Sequence, residues 1–343
     1  MKRFSCSCGE SVFFENTHCL ACDSVLGIDP HCLQMVAFPA SDPGVDQIVA
    51  DDGRRYRHCQ NRITYNNCNW LVHSPEPDTY CVSCRLNRTI PNLSTDENLL
   101  HWTQLERAKR RLVFSLLDLQ LPVQSKVRGW PFGLAFDFIE DKRSNPLVEE
   151  EHVNTGHAGG IITINVSEAD DVLRAMTRKR MSESYRTLLG HFRHESGHYY
   201  FEFLVNGQEH RKQFRALFGD ATEDYDAAMI RYYSYGPEPR WESKFISAYA
   251  ASHPAEDWAE TWAHYLHMID SLETAGDYAL GVHFDPAAGF DKHIGEWMRL
   301  TIALNNLNRS MGLPDAYPFI INSVVASKLR FIHGLLAPQH AAS

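Results

Sequence analysis

His194 and His198 are separated by three residues within a run that predicts a helix, and Glu195 lies between them. Residues four apart share one face of a helix, so two imidazole nitrogens could bind the same zinc ion. Glu195 would lie beside them, where it could accept a proton from water rather than bind the metal. This His-Glu-x-x-His spacing predicts zinc-dependent hydrolysis.

A third metal ligand is expected further along the chain, because a catalytic zinc generally has three protein ligands and leaves one position for water. Pro254 favours a helix start, and Glu256 and Glu260 follow it on one predicted face. The alternative is two solvated charges, but Trp258 and Trp262 predict a buried helix, where a carboxylate requires a partner. We therefore predict that Glu256 binds zinc and that Glu260 accepts the N–H of a ligand histidine.

These residues together resemble the active-site motifs of the gluzincin metallopeptidases, in particular the lethal-factor-like branch. In that branch a tyrosine seven residues before the ligand glutamate helps to stabilise the oxyanion. The matching residue is Tyr249, so the resemblance implies that Tyr249 has this role. Tyr232, Tyr233 and Tyr235 lie close by in the sequence and are alternative candidates.

Nearly the whole chain also resembles a bacterial family of zinc-binding metallopeptidases that begin with a zinc ribbon. Residues 185–195, 254–267 and 307–313 carry this resemblance. It implies a zincin-like domain that hydrolyses peptide or amide bonds, but it identifies no particular substrate.

The proposed chemistry assigns a separate role to each residue. Zinc would polarise a carbonyl group and make a bound water more acidic. Glu195 would take the proton of the attacking water and pass it to the leaving amine, while zinc and the Tyr249 hydroxyl stabilise the oxyanion. The alternative is a zinc-ribbon protein-interaction module on an inactive zincin scaffold, which would have no need for a base and an oxyanion donor.

All nine cysteines lie within the first 84 residues. Such a concentration indicates metal binding rather than disulfides in a reducing compartment. We predict two structural zinc sites, each with four thiolates in a tetrahedron at about 2.3 Å. The first set is Cys6, Cys8, Cys19 and Cys22, and the second is Cys59, Cys68, Cys81 and Cys84.

Some alternatives remain at these cysteines. His18, His31 or His58 could replace one ligand, and Cys32 is expected to be a buried or bystander thiol. A thiol-redox role for the last Cys-x-x-Cys pair is less favoured, because no thioredoxin-like βαβ pattern surrounds it.

The composition limits the partners and the location of the protein. The formal net charge of −10 argues against nucleic acid or an anionic membrane as the main partner. Neither a membrane-spanning run nor the apolar core of a signal peptide is evident, which predicts a cytoplasmic protein. The expected partners are a peptide or protein substrate and a protein that binds the zinc ribbon.

The pattern along the chain predicts a zinc ribbon over residues 1–92 and a helix-rich α+β zincin-like domain over 93–343. Phe4, Phe13, Phe14 and Trp70 are expected to form the core of the ribbon. Strands are predicted at 134–140 and 160–166. Predicted helices span residues 97–119, 168–180, 183–205, 225–235, 239–250, 254–271, 291–310 and 315–335.

Zincins place an edge strand above the active-site helix, and the resemblance suggests residues 161–166 for this role. An ordinary internal strand is an equally good interpretation. His157, just before this strand, is a weaker candidate for the cleft. His191 and His264 lie on the two active-site helices, and a structural role is favoured for both.

Overall fold

A computed structural model describes residues 2–39, 48–50, 53–145, 147–180 and 187–336, without the side chains of 177–180. Its contacts form two compact units, Lys2–Leu173 and a second that begins at Arg174. The first is rich in short strands and the second is almost entirely helical, which confirms the predicted helix-rich α+β class.

The first unit contains three small sheets and one larger sheet among its described residues. The strands are β1 (Phe4–Ser5), β2 (Ser11–Val12), β3 (Val25–Asp29), β4 (Gln34–Phe38), β5 (Ile48–Val49), β6 (Arg55–His58), β7 (Leu71–His73), β8 (Asn87–Thr89), β9 (Ala135–Ile139), β10 (Gly156–Ala158) and β11 (Ile161–Asn165). β1 pairs with β2, β3 pairs with β4, and β6 lies between β5 and β7. Helices α1 (Gln60–Tyr65) and α2 (Asp96–Asp118) also belong to this unit. The boundary between the two units in the sequence, after Leu173, falls within α3 (Asp171–Arg180).

Aromatic side chains form the core of the cysteine-rich region. Phe4, Phe14 and Trp70 are buried as predicted, and Phe114 of α2 packs edge-on against Phe4 and Phe14. The prediction for Phe13 is wrong, because this side chain is 67% exposed. Phe13 lies where the chain leaves β2 and enters a turn, in which the backbone N–H of Asn16 donates to the carbonyl oxygen of Phe13, and its side chain faces solvent there. The core of the cysteine-rich region thus includes part of α2.

The larger sheet has the strand order β10-β11-β9-β8. β11 is parallel to β9 and antiparallel to β10. The suggested edge strand at 161–166 is therefore an inner strand, and β10 lies at that edge instead. Ile162 and Ile164 are fully buried, which explains the β-branched composition of β11 without a role at an edge.

Helices make up the second unit. They are α4 (Leu188–Leu204), α5 (Gln208–Phe218), α6 (Tyr225–Tyr235), α7 (Pro254–Asp277), α8 (Phe290–Ser310) and α9 (Ser323–Leu336). Within the described residues, no helix is both long enough and apolar enough to cross a bilayer.

Some of these helices differ from the prediction. α5 was not predicted, and α9 begins eight residues later than expected. Residues 239–250 form no α-helix. This range includes the 3₁₀ turn Trp241–Ser243 and the start of a second one, Tyr249–Ala251. The left-handed φ of 63° at Arg240 is incompatible with a continuous helix there. Residues 183–186, at the start of the predicted helix at 183–205, lie outside the described residues.

A buried ion pair joins α7 to α9. Lys328 donates to Asp257 Oδ2 at 2.5 Å and to the carbonyl oxygen of Lys244 at 2.8 Å. Both charged side chains are nearly inaccessible to solvent. An unpaired charge would be costly at this depth, so the pair specifies how α9 and the segment before α7 attach to α7.

Candidate functional site

The candidate site is built on α4 and α7, which pack against each other. Thr187 caps α4, because its Oγ1 accepts a hydrogen bond from the backbone N–H of Gly190 at 3.0 Å. This starts the helix six residues before His194. The rings of His194 and His198 lie on one face, with centroids 5.0 Å apart, as their spacing predicts.

α7 supplies the two glutamates. His253 is its N-cap, with Nδ1 accepting from the backbone N–H of Ala255 at 3.0 Å, and Pro254 occupies the first turn. Glu256 follows at once and is 2% exposed. One carboxylate oxygen, Oε2, lies 3.0 Å from Nε2 of His194, and the other lies 3.5 Å from Nε2 of His198.

The two residues between Glu195 and His198 hold the helices together. The indole N–H of Trp258 donates to the carbonyl oxygen of Gly197 at 2.9 Å, and that of Trp262 donates to Ser196 Oγ at 3.0 Å. A Cβ on Gly197 would lie 3.0 Å from the Cα of Ala259. Close contact between α4 and α7 therefore depends on a small residue at position 197.

Glu260 lies one turn after Glu256 and accepts a hydrogen bond from Nδ1 of His194 at 2.8 Å. When the imidazole is neutral with its proton on Nδ1, Nε2 has a free lone pair on the side of Glu256 and can bind a metal. The hydroxyl of Ser247 donates to the second oxygen of Glu260 at 2.6 Å. Ser247 Oγ also accepts from the backbone N–H of Ala250 at 3.1 Å, which ties Glu260 to the turn that contains Tyr249.

The electrostatics of this arrangement favour a cation. Burial would lower the pKa of His194, but the hydrogen bonds to Glu256 and Glu260 outweigh it and raise the pKa well above its ordinary value. Burial would raise the pKa of Glu260, but its hydrogen bond with His194 lowers it to about 2. The carboxylates of the buried Glu256 and the half-buried Glu260 thus require positive charge near His194, which a proton or a metal ion can supply.

The donor set fits zinc. The ligand atoms of His194, His198 and Glu256 all lie within 4.8 Å of one another. Ligand bonds of about 2.1 Å in a tetrahedron place donor atoms roughly 3.4 Å apart, close to the observed 3.0 and 3.5 Å. The hydrogen bond from His194 to Glu260 is the carboxylate–histidine arrangement typical of zinc ligands.

Glu195 is 8% exposed and adjoins the first ligand. Burial raises the pKa of Glu195 above its ordinary value, although the nearby charges of His194 and His198 oppose this effect. A carboxylate with a raised pKa is a better proton acceptor near neutral pH. Its position and basicity therefore suit proton transfer.

Tyr249 and Tyr225 lie beside these residues. The ring centroid of Tyr249 is 5.9 Å from that of His194, and burial raises the pKa of its hydroxyl well above the ordinary value. Tyr232 packs edge-on against Tyr249, whereas Tyr235 is 86% exposed. The hydroxyl of Tyr225 donates to Glu256 Oε1 at 2.8 Å, a contact that the sequence analysis missed.

The remaining histidine candidates differ in their surroundings. His191 is half-buried one turn before His194. Nδ1 of His264 lies 2.8 Å from the hydroxyl of Tyr317, and its ring packs on Phe319. His157 accepts a hydrogen bond from the backbone N–H of Gly160 within a turn. These contacts are structural for His264 and His157.

The structure also brings together the two predicted sets of four cysteines. The Sγ–Sγ distances are 3.5 Å for Cys6–Cys22 and 3.7 Å for Cys8–Cys19 in the first set. Four Zn–S bonds of about 2.3 Å in a tetrahedron place the sulfur atoms roughly 3.8 Å apart. The Sγ–Sγ distances therefore fit a zinc site and are far too long for a disulfide bond.

The second set shows the same spacing, with Cys68 Sγ 3.7 Å from Cys81 Sγ and 3.8 Å from Cys84 Sγ. Burial would raise the pKa of the Cys68 thiol, but hydrogen bonds from the other three cysteines and the charge of Arg110 lower it well below its ordinary value. Arg110 belongs to α2 and donates to the carbonyl oxygen of Asn67 at 2.8 Å. This set therefore connects α2 to the cysteine-rich region.

Cys32 belongs to neither set. Its thiol is exposed rather than buried, so of the two expectations only that of a bystander fits, and it donates to Asp29 Oδ2 at 3.2 Å. Nε2 of His31 lies 3.1 Å from Glu76, so this histidine has a partner other than the cysteines.

Proteins of Mycobacterium bovis and of two Mycobacterium tuberculosis strains, all described as uncharacterized, are 40% identical to this chain over 342 residues. The match covers 97% of this chain and 94% of each relative. No solved structure matches the chain significantly.

Two family models match the chain in succession. A zinc-ribbon domain model matches residues 3–95, which include all nine cysteines. A model described as "Putative zinc-binding metallo-peptidase" matches residues 98–335, well over half of the chain and all of the His-His-Glu residues. The chain therefore belongs to this zinc-binding metallopeptidase family and carries an N-terminal zinc ribbon.

Proposed function

We propose that the protein is a zinc-dependent peptidase in which His194, His198 and Glu256 hold the metal and Glu195 is the general base. The observation that carries this proposal is the convergence of three suitable ligand atoms within 4.8 Å beside a buried carboxylate. The family assignment supports a protease. The substrate is a polypeptide whose scissile carbonyl reaches this site.

Zinc at this position supplies Lewis-acid chemistry, polarising the carbonyl group and increasing the acidity of water. Glu195 accepts a proton from the attacking water and then delivers it to the leaving amine, so that its raised pKa serves both transfers. The Tyr249 hydroxyl donates a hydrogen bond to the carbonyl oxygen as negative charge develops there. Glu260 holds the imidazole of His194 in the tautomer that leaves Nε2 free for the metal.

Glu195→Gln tests the base directly. The amide preserves the shape of the side chain but cannot accept the proton, so we expect hydrolysis to fall by about 10²–10⁴-fold while bound zinc is unchanged. Cleavage of a peptide library, read by mass spectrometry, and zinc content measured on the same samples give both quantities. Full activity in the variant would exclude Glu195 as the base.

Cleavage by the wild-type protein distinguishes a peptidase from a non-catalytic scaffold. If the zinc-loaded chain cleaves no peptide in the library, the non-catalytic scaffold becomes the better explanation. Tyr235→Phe is a matched control, because this exposed side chain lies outside the site, and it should retain wild-type cleavage.

A further inference from the structure

Tyr225 is the first residue of α6 and lies 31 residues before Glu256 in the chain. Its hydroxyl donates to Glu256 Oε1 at 2.8 Å, although the tyrosine itself is 43% exposed. Glu256 is 2% exposed, so this hydrogen bond lies in a poorly solvated region. Such a bond to a charged acceptor is stronger than a neutral one.

Contacts at the start of α6 determine where this hydroxyl lies. Asp224 caps the helix by accepting from the backbone N–H of Ala227 at 3.0 Å. Nε2 of His253 lies 3.2 Å from the carbonyl oxygen of Glu223, which links the start of α6 to the start of α7. The ring of Tyr225 also packs edge-on against His253, with centroids 5.2 Å apart. The position of Tyr225 relative to Glu256 is therefore constrained from both helices.

The two oxygens of Glu256 have different surroundings. Oε2 lies 3.0 Å from Nε2 of His194, whereas Oε1 accepts the proton of Tyr225 and lies 3.5 Å from Nε2 of His198. A hydrogen bond to one oxygen reduces its capacity to donate electron density to a metal and restricts rotation of the carboxylate. The other oxygen is then the preferred ligand atom.

We propose that Tyr225 is a positioning residue that holds Glu256 as a one-oxygen ligand of the metal. This rests on the metal site of the proposed function but not on peptide hydrolysis. Hydrogen-bond partners of metal ligands typically contribute 10–100-fold to metal affinity or activity. Loss of the hydroxyl should therefore weaken zinc binding even if the protein cleaves no peptide.

The test compares zinc affinity of the full-length Tyr225→Phe variant with that of the wild type, by competition with a chelator. The same titration on Glu256→Ala, which lacks a ligand, identifies the contribution of the cysteine sites so that it can be subtracted. We expect the dissociation constant of the remaining site to rise 10–100-fold in Tyr225→Phe. Tyr235→Phe, on the same helix but 86% exposed, should match the wild type.

Cobalt substitution separates positioning from a general effect on folding. The visible absorption of Co²⁺ depends on the number and geometry of its ligands, so Tyr225→Phe should change the spectrum and Tyr235→Phe should not. The proposal would be overturned if Tyr225→Phe had an unchanged spectrum and a zinc dissociation constant within twofold of the wild type. It would also be overturned if Tyr225→Phe and Tyr235→Phe lost zinc affinity equally. If wild-type zinc binding depends on Tyr225 but no peptide is cleaved, only the proposed peptidase function fails.

Discussion

The imidazole of His264 is buried on α7, one turn beyond Glu260. Burial lowers its pKa from 6.5 to about 4, although the charge of Glu260 opposes the shift. The unfolded chain therefore binds more protons than the folded chain between these pH values. The stability that neutral His264 contributes is complete above pH 6.5 and is lost as the pH falls toward 4.

We expect this one group to reduce the free energy of unfolding by about 2 kcal/mol between pH 7 and pH 5. His264→Gln can retain a hydrogen bond to Tyr317 but does not titrate, so its stability should fall less over this range. Urea unfolding at both pH values measures the difference, with His283→Gln at an exposed position as the control. Equal pH dependence in His264→Gln and the wild type would show that His264 is not responsible.

Sequence spacing could predict only part of the site at the level of single residues. His194 and His198 share a helix, as do Glu256 and Glu260, so the helical repeat places each pair on one face. Tyr225 and Ser247 reach the glutamates from outside these helices. No periodic relation connects them to α7, and only the folded structure shows that their hydroxyls contact Glu256 and Glu260.

The contact between α4 and α7 leads to a prediction for Gly197. A Cβ there would lie 3.0 Å from Ala259 Cα and from Trp262 Cδ1, and the first of these is a backbone atom that cannot rotate away. Gly197→Ala should separate the helices and destabilise the protein by about 1–3 kcal/mol. Since His198 and Glu256 lie on opposite sides of this contact, zinc affinity should also fall. Denaturant unfolding and zinc titration measure the two effects.

Gly295→Ala is the matched control, because Gly295 lies within α8 and a Cβ there has no neighbour within 4 Å. A helical alanine in open space should increase stability by about 0.4–1 kcal/mol. If Gly197→Ala were equally harmless, close packing at residue 197 would not be what holds α4 against α7.

At the level of elements, the sequence was most informative where apolar residues recur at regular intervals. α5 was missed because its apolar residues are confined to its second half, where Phe214 and Phe218 are buried, so no apolar repeat marks the start of the helix. β11 has the composition of an internal strand, and strand order depends on distant pairing that composition does not specify. The predicted helix at 239–250 does not form. There the backbone N–H of Ala250 donates to Ser247 Oγ, a local side-chain contact of the kind that stabilises a turn.

Across the molecule, the three candidate metal sites found among the described residues divide between the two compact units. Both cysteine sets belong to residues 2–173, and the His-His-Glu set belongs to the unit that begins at Arg174. The ligand sets differ as well, since four thiolates form a closed structural site, whereas three ligands leave a position for water or substrate. Zinc should therefore stabilise the fold in the first unit and perform chemistry in the second.

This division predicts the zinc content of the protein and the order in which zinc is lost. Wild-type protein should contain three zinc ions per chain and Glu256→Ala two, by elemental analysis. Increasing chelator should first remove the ion held by three ligands and abolish hydrolysis with little unfolding; only later loss of thiolate-bound zinc should destabilise the first unit, because structural zinc contributes folding free energy directly. Cys81→Ser provides the reciprocal control, as it should lose a structural ion while the His-His-Glu ion remains. Two ions in both the wild type and Glu256→Ala would contradict a third site at these residues and favour the scaffold function.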